Sequence, residues 1–195
     1  KQTNWGNDFD DTFILDADDP LFAEIGKKFL EVQSQVYGTD HLYSADTFNE
    51  NEPPTDDPEY LSELSKKIFE GMKSADPEAV WVMQGWLFYS HRDFWKAPQI
   101  KGLLGAIPDD RMIILDLAAE IEPVWKRTEA FYGKQWIWNM LHNFGGNISM
   151  FGRIENVANN PAAALHDEKS GQLKGIGLTM EAIEQNPVLY ELMTD

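Results

Sequence analysis

The sequence predicts an α/β chain that forms part of a (β/α)8 TIM barrel, about five β/α units of it. Three observations lead there. Short runs that are apolar on both faces alternate with helical stripes, the signature of a parallel sheet covered by helices. The polar clusters each fall just after a strand, the end at which a barrel of this kind keeps its chemistry. No glycine-rich phosphate turn follows the first strand, and Gly145-Gly146 is neither a GxGxxG motif nor a P-loop, so an open doubly wound sheet fits less well. A complete barrel needs ~250 residues, and 195 are present.

Taken in order, Lys1 to Asp19 is polar and acidic, with Asp8, Asp10, Asp11, Asp16, Asp18 and Asp19. It reads as a solvated loop, because it lacks the alternating acids and distal Glu of a calcium loop. Asp19 is placed to cap a helix with Pro20 in its first turn. Leu21, Phe22, Ile25, Phe29, Val32 and Val36 then share one face, and Gly38 ends the helix. His41-Leu42-Tyr43-Ser44-Ala45 reads as the first strand. A second helix starts at Asp57-Pro58, with Tyr60, Leu61, Leu64, Ile68 and Met72 as its stripe. Val80 to Trp86 is the second strand, and a helix interrupted at Pro98 runs from about Asp93 to Ala106. Met112 to Leu117 is the third strand, followed by a helical segment near Pro123 to Tyr132. Trp136 to His142 is the fourth strand. A helical stretch around Pro161 to His166, a strand near Gly175 to Leu178 and a last helix from about Met180 to Met193 complete the pattern.

Composition excludes several classes of function. With 16 Lys+Arg against 33 Asp+Glu the net charge is −17, which opposes binding to the phosphates of nucleic acid and to anionic membrane surfaces. No run approaches ~20 apolar residues, so no transmembrane helix is expected, and the chain, which starts at Lys1, shows no signal peptide. The absence of cysteine removes disulfides, thiolate metal sites and a cysteine nucleophile. His41, His91, His142 and His166 have no HxxxH or HExxH spacing, so no metal or other cofactor is expected. No GxSxG motif supports a serine hydrolase.

The strand ends carry the candidate chemistry. Asn49-Glu50 follows the first, Gln84-Gly85-Trp86 the second, Asp116-Leu117 with Glu120 the third, His142-Asn143 the fourth and Glu181 the fifth. Two carboxylates facing each other across a sugar ring are what glycoside hydrolysis needs: one protonates the leaving oxygen, while the other attacks the sugar or activates water. An indole such as Trp86 offers a π face to the C–H groups of a pyranose. Each residue also has a plainer role open to it. Glu50 is placed to act as a cap, Glu181 as a first-turn glutamate, Trp86 as core, and His142 as a buried histidine bonded to a carbonyl. Glu52 and Glu184 compete with the two chosen acids.

Five blocks in order resemble the α-N-acetylglucosaminidase family, glycoside hydrolase family 89. They are Asp46-Thr47-Phe48-Asn49-Glu50-Asn51-Glu52-Pro53-Pro54, Met83-Gln84-Gly85-Trp86-Leu87-Phe88, Arg111 to Leu117, Ile137 to Asn147, and Glu181 to Asn186 with Val188 to Met193. The resemblance implies a retaining exo-glycosidase that releases terminal α-linked N-acetylglucosamine from glycans of heparan-sulfate or mucin type. Carried over by motif, Glu50 is the general acid/base and Glu181 the nucleophile. Trp86, Leu117 and Leu141 match pocket positions, and Asn49, His142 and Asn143 are further substrate-binding candidates. Met180 stands where the family usually has Pro, and Asn139 where it often has Cys. Family members are several times longer, which implies that residues 1–195 are the middle of a catalytic domain. The N-terminal small domain, early strands and C-terminal helical domain would then be partners from the same parent chain. Family resemblance also implies a secreted, periplasmic or lysosomal location. The alternative reading is a non-catalytic glycan-binding module or inactive barrel fragment. Asn147-Ile148-Ser149 is a glycosylation triplet, expected to stay unmodified so close to the site.

Overall fold

The computed structural model describes residues 15–143, 152–181 and 184–195, together with the backbone of 2–3 and 12–13. Asp8, Asp10 and Asp11 and the Asn147-Ile148-Ser149 triplet lie outside the described residues. The leading segment is not wholly loop: β1 (Gln2–Thr3) and β2 (Thr12–Phe13) pair antiparallel.

Two long helices open the described chain, α1 (Pro20–Tyr37) and α2 (Pro58–Ala75). Both start as the sequence predicts. The Asp19 carboxylate accepts the Leu21 N–H and that of Asp57 accepts the Glu59 N–H, each ahead of a proline in the first turn. Between them lies β3 (Leu42–Ser44), and β4 (Val80–Gln84), β5 (Met112–Asp116), β6 (Gln135–Met140) and β7 (Gln172–Leu178) follow. These five strands make one sheet in the order β3-β4-β5-β6-β7, with every neighbouring pair parallel. Spatial order equals chain order. A doubly wound sheet reverses direction at a switch point, and this sheet has none, so it is a stretch of barrel wall as expected.

Period-two alternation sorts the strand residues onto two faces. Trp81, Met83, Met112, Ile114, Trp136 and Trp138 are fully buried against helices. Val82, Gln84, Ile113, Leu115 and Ile137, on the other face, are only half-buried. Above the covered face, Trp125 stacks on Trp136 at 5.3 Å, and Phe88 meets Trp95 edge-on at 5.5 Å. Two of the buried indoles donate to carbonyls, Trp81 to Ala45 and Trp136 to Ser170, each at 2.7 Å. Gly102 lets α4 (Ala97–Gly105) press on the start of α2, since a Cβ there would lie 2.5 Å from the Pro58 carbonyl oxygen.

Several boundaries differ from the sequence reading. Trp86 does not end a strand but starts the short helix α3 (Trp86–Ser90). Pro98 does not interrupt a helix, because α4 begins at Ala97 and its first turn needs no N–H there. The segment near Pro123 to Tyr132 is α5 (Val124–Arg127) followed by α6 (Glu129–Tyr132), whose four residues all have φ near +50°. α7 (Ile154–His166) starts earlier than Pro161 and contains it, and α8 (Pro187–Thr194) starts later than Met180. Among the described residues no helix is long and apolar enough to cross a membrane.

Candidate active site at the carboxyl ends of the strands

Each candidate residue lies at or just beyond the carboxyl end of a strand, and hydrogen bonds sort them into two groups. The first belongs to β3 and β4. After β3 the chain turns through Asp46 to Glu50, with Phe48 at φ 55°. Asp46 Oδ1 accepts the Gln84 N–H at 3.0 Å, tying the loop to the end of β4. Burial pushes the Asp46 carboxyl up, and the Gln84 N–H opposes that shift. The Asn49 carbonyl accepts from the Ser90 hydroxyl at 3.4 Å, so the loop also rests on α3. The Asn49 and Glu50 side chains are exposed. Gly85 connects β4 to α3 where no side chain fits, since a Cβ would meet the Leu115 carbonyl oxygen at 2.8 Å. That close passage places Trp86 at the mouth, half-buried and tilted against Tyr89 at 4.9 Å.

The second group belongs to β5, β6 and β7. Leu117, Leu141, His142 and Asn143 are all buried. Two carboxylates from β5 and the turn after it are occupied by backbone. Asp116 accepts the N–H groups of Val124 at 3.2 Å and Trp125 at 3.0 Å, which satisfies the start of α5. Burial raises its carboxyl to about 7, against the pull of those two N–H groups. Glu120 accepts the N–H groups of His142 at 2.7 Å and Leu141 at 3.3 Å. Its carboxyl is also raised by burial and opposed by its backbone donors. The His142 ring packs edge-on against Tyr190 of α8 at 5.8 Å. Burial lowers its pKa, so the imidazole is neutral at pH 7. Asn143 Nδ2 donates to Gln185 Oε1 at 3.4 Å, and Gln185 Nε2 donates to the carbonyl of Glu181. Glu181 is exposed in the loop ahead of α8, not in the first turn of a helix.

Sequence reasoning passed over Gln185 and the holding role of Glu120. The signal for Gln185 was its position four residues after Glu181. Nothing local marks Glu120, whose partners lie more than 20 residues away.

An unbroken parallel sheet, helices over one face and polar residues at the carboxyl ends of the strands define part of a β/α-barrel domain. All of residues 1–195 match the Alpha-N-acetylglucosaminidase (NAGLU) tim-barrel domain. The chain belongs to that family of glycoside hydrolases. It is 44% identical over 198 residues to Alpha-N-acetylglucosaminidase of Homo sapiens, covering 100% of this chain and 26% of the human protein. Among solved structures it is similar to the Family 89 Glycoside Hydrolase from Clostridium perfringens in complex with 2-acetamido-1,2-dideoxynojirmycin. That match has 32% identity and a TM-score of 0.72, over 93% of this chain and 19% of the other. A glutamate-to-glutamine double variant of CpGH89 from Clostridium perfringens, in complex with its substrate GlcNAc-α-1,4-galactose, matches at 31% identity with the same TM-score and coverage. The chain thus spans about a quarter of the curated relative it matches.

Proposed function

We propose that this chain carries the catalytic pair of a retaining exo-glycosidase acting on terminal α-linked N-acetylglucosamine, in a polypeptide that supplies the remaining barrel wall. Glu50 is the general acid/base and Glu181 the nucleophile. The family match and the motifs around the two glutamates carry this reading, and their surroundings support it. Asp46, Asp116 and Glu120 each spend a carboxylate on backbone N–H groups. Glu50 and Glu181 instead present exposed side chains on the loops after the two outermost strands, β3 and β7. In a closed barrel those loops face each other across the mouth, as a sugar held between two acids requires. A relative that carries two Glu→Gln substitutions in its complex with substrate supports a glutamate pair.

Glu181 attacks the anomeric carbon while Glu50 protonates the departing oxygen. Glu50 then takes a proton from the water that frees the sugar. This two-step route needs carboxyl groups ~5–5.5 Å apart. Trp86 supplies the apolar wall, and Asn49, Leu117, Leu141, His142 and Asn143 complete the pocket.

In the full-length enzyme, Glu50→Gln and Glu181→Gln are each expected to slow hydrolysis of an aryl α-N-acetylglucosaminide by ~10²–10⁴-fold. Glu52→Gln and Glu184→Gln should stay near the parent rate. Azide added to Glu181→Ala should give a glycosyl azide of inverted anomeric configuration. Full activity in either principal variant would remove the assignment, and saccharide binding that survives both substitutions without any turnover in the parent enzyme would favour a binding module.

A further inference from the structure

We propose that Glu120 is a positioning residue: its carboxylate holds a strained turn at His142 and, through Asn143 and Gln185, fixes the loop that bears Glu181. The inference rests on the glycosidase reading above and adds to it a residue whose carboxylate is taken by backbone N–H groups.

The Asn143 N–H donates to the Leu141 carbonyl at 3.0 Å, two residues back, and the residue between them, His142, has φ 70°. An i to i+2 hydrogen bond closed around a positive φ is the rare, strained form of γ-turn. A non-glycine residue holds such a conformation only where its surroundings over-determine it. Glu120 provides that constraint. It takes the N–H groups of both Leu141 and His142, the first two residues of the turn, at 3.3 and 2.7 Å.

The clamp is itself anchored. The Asn156 amide of α7 donates to the Glu120 carbonyl at 2.7 Å, and the preceding Ala119 N–H donates to the Asn139 carbonyl of β6 at 3.0 Å. Glu120 is 2% exposed, and burying a carboxylate is costly unless its bonds are used. An apolar side chain would fill the same space without that cost but could not restrain the two N–H groups. On the far side of the turn, Asn143 reaches Gln185 Oε1 at 3.4 Å, and the Tyr190 hydroxyl donates to the same oxygen at 2.8 Å. The Gln185 amide nitrogen then donates to the Glu181 carbonyl. One continuous set of bonds thus runs from the turn after β5, through the end of β6, to the nucleophile's own peptide.

The test uses the full-length enzyme carrying Glu120→Gln, Gln185→Ala or both, with competent sites counted by active-site titration. The probes are two aryl α-N-acetylglucosaminides, one with a strongly and one with a weakly activated leaving group. A nucleophile held out of line slows both probes alike, whereas loss of the acid spares the activated one. Each single variant is expected to lower kcat per site by roughly 10–10²-fold, with KM within about threefold and the same loss on both probes. The double variant should be no slower than the slower single. Unchanged kcat per site, a loss confined to the weakly activated probe, or losses that multiply would each overturn the proposal. If Glu120→Gln does not fold, the same change is read in a His142→Gly background, where glycine takes the turn unaided. Recovered folding supports the clamp, and continued failure overturns it. Glu181→Ala with azide is run alongside. If no glycosyl azide forms, the nucleophile assignment fails whatever Glu120 does. If it forms and Glu120→Gln behaves as parent, the positioning claim alone fails.

Discussion

Helices α1 and α2 have the same length, 18 residues, the same Asp cap, and the same proline in the first turn. Both carry an apolar stripe. α2 nevertheless buries Leu61, Leu64, Ser65, Ile68, Phe69 and Met72, whereas α1 buries no residue. Ile25, Phe29, Val36 and Tyr37 of α1 are all more than half exposed. Local sequence therefore decides that both segments are helical, and the neighbours decide whether that helicity is converted into a core. α2 packs between α1 and α4, while α1 has α2 as its helical neighbour and meets β3 through the Ser34 and Tyr43 hydroxyls at 3.4 Å. The same contrast separates the centre of the sheet, where Trp81, Ile114 and Trp136 are inaccessible, from β7, where Ile176 is 47% exposed.

Truncating one phenylalanine in each helix should separate the two. Phe69→Ala in α2 should cost about 3–5 kcal/mol in urea denaturation of the 195-residue chain, as expected for a buried ring. Phe29→Ala in α1 should cost less than about 0.5 kcal/mol. Equal losses would mean that α1 is packed after all.

The centre of the sheet also predicts a pH dependence. The Asp116 carboxyl, in the central strand, is raised from 3.8 to about 7 in the folded chain. The folded state therefore favours its protonated form, and this contribution to stability fades as pH rises through about 7. Between about pH 5 and about pH 8 the chain should lose roughly 2–3 kcal/mol. Asp116→Asn should flatten that slope in thermal melts recorded across the range, and an unchanged slope would reject the assignment.

Smaller effects should come from the caps. Asp57→Ala removes the acceptor for the Glu59 N–H and should lower global stability by about 1 kcal/mol. Asp19→Ala removes the matching bond to Leu21, yet should show only as faster amide exchange in the first turn of α1, because that helix opens apart from the core.

The strand–helix alternation was legible because both periodicities are local, and the caps at Asp19 and Asp57 were legible because they span two residues. That Glu50, Trp86, Leu117, His142 and Glu181 each follow a strand was legible from the alternation of elements. Features set by distant partners were not. Pro98 signalled a break when it was in fact a helix start. Glu129 to Tyr132 carries no glycine, yet turns left-handed between packed elements. Asp116 and Glu120 read only as acids following the third strand, since nothing in the sequence shows that their carboxylates face the amides of Val124, Trp125, Leu141 and His142. The stripe of α1 is as regular as that of α2, and only the fold shows that the described residues leave most of it exposed.

Because each strand lies beside the one that precedes it in the chain, the sheet is suited to assembly during translation. Every new strand emerges from the ribosome with its partner already in place, and pairing involves only near neighbours in sequence. The loops after the first and last strands of this series are the exception. On the proposed reading they hold the two reacting acids, so cleavage of sugar would begin only once synthesis had closed the ring, and activity would itself report that the wall was complete.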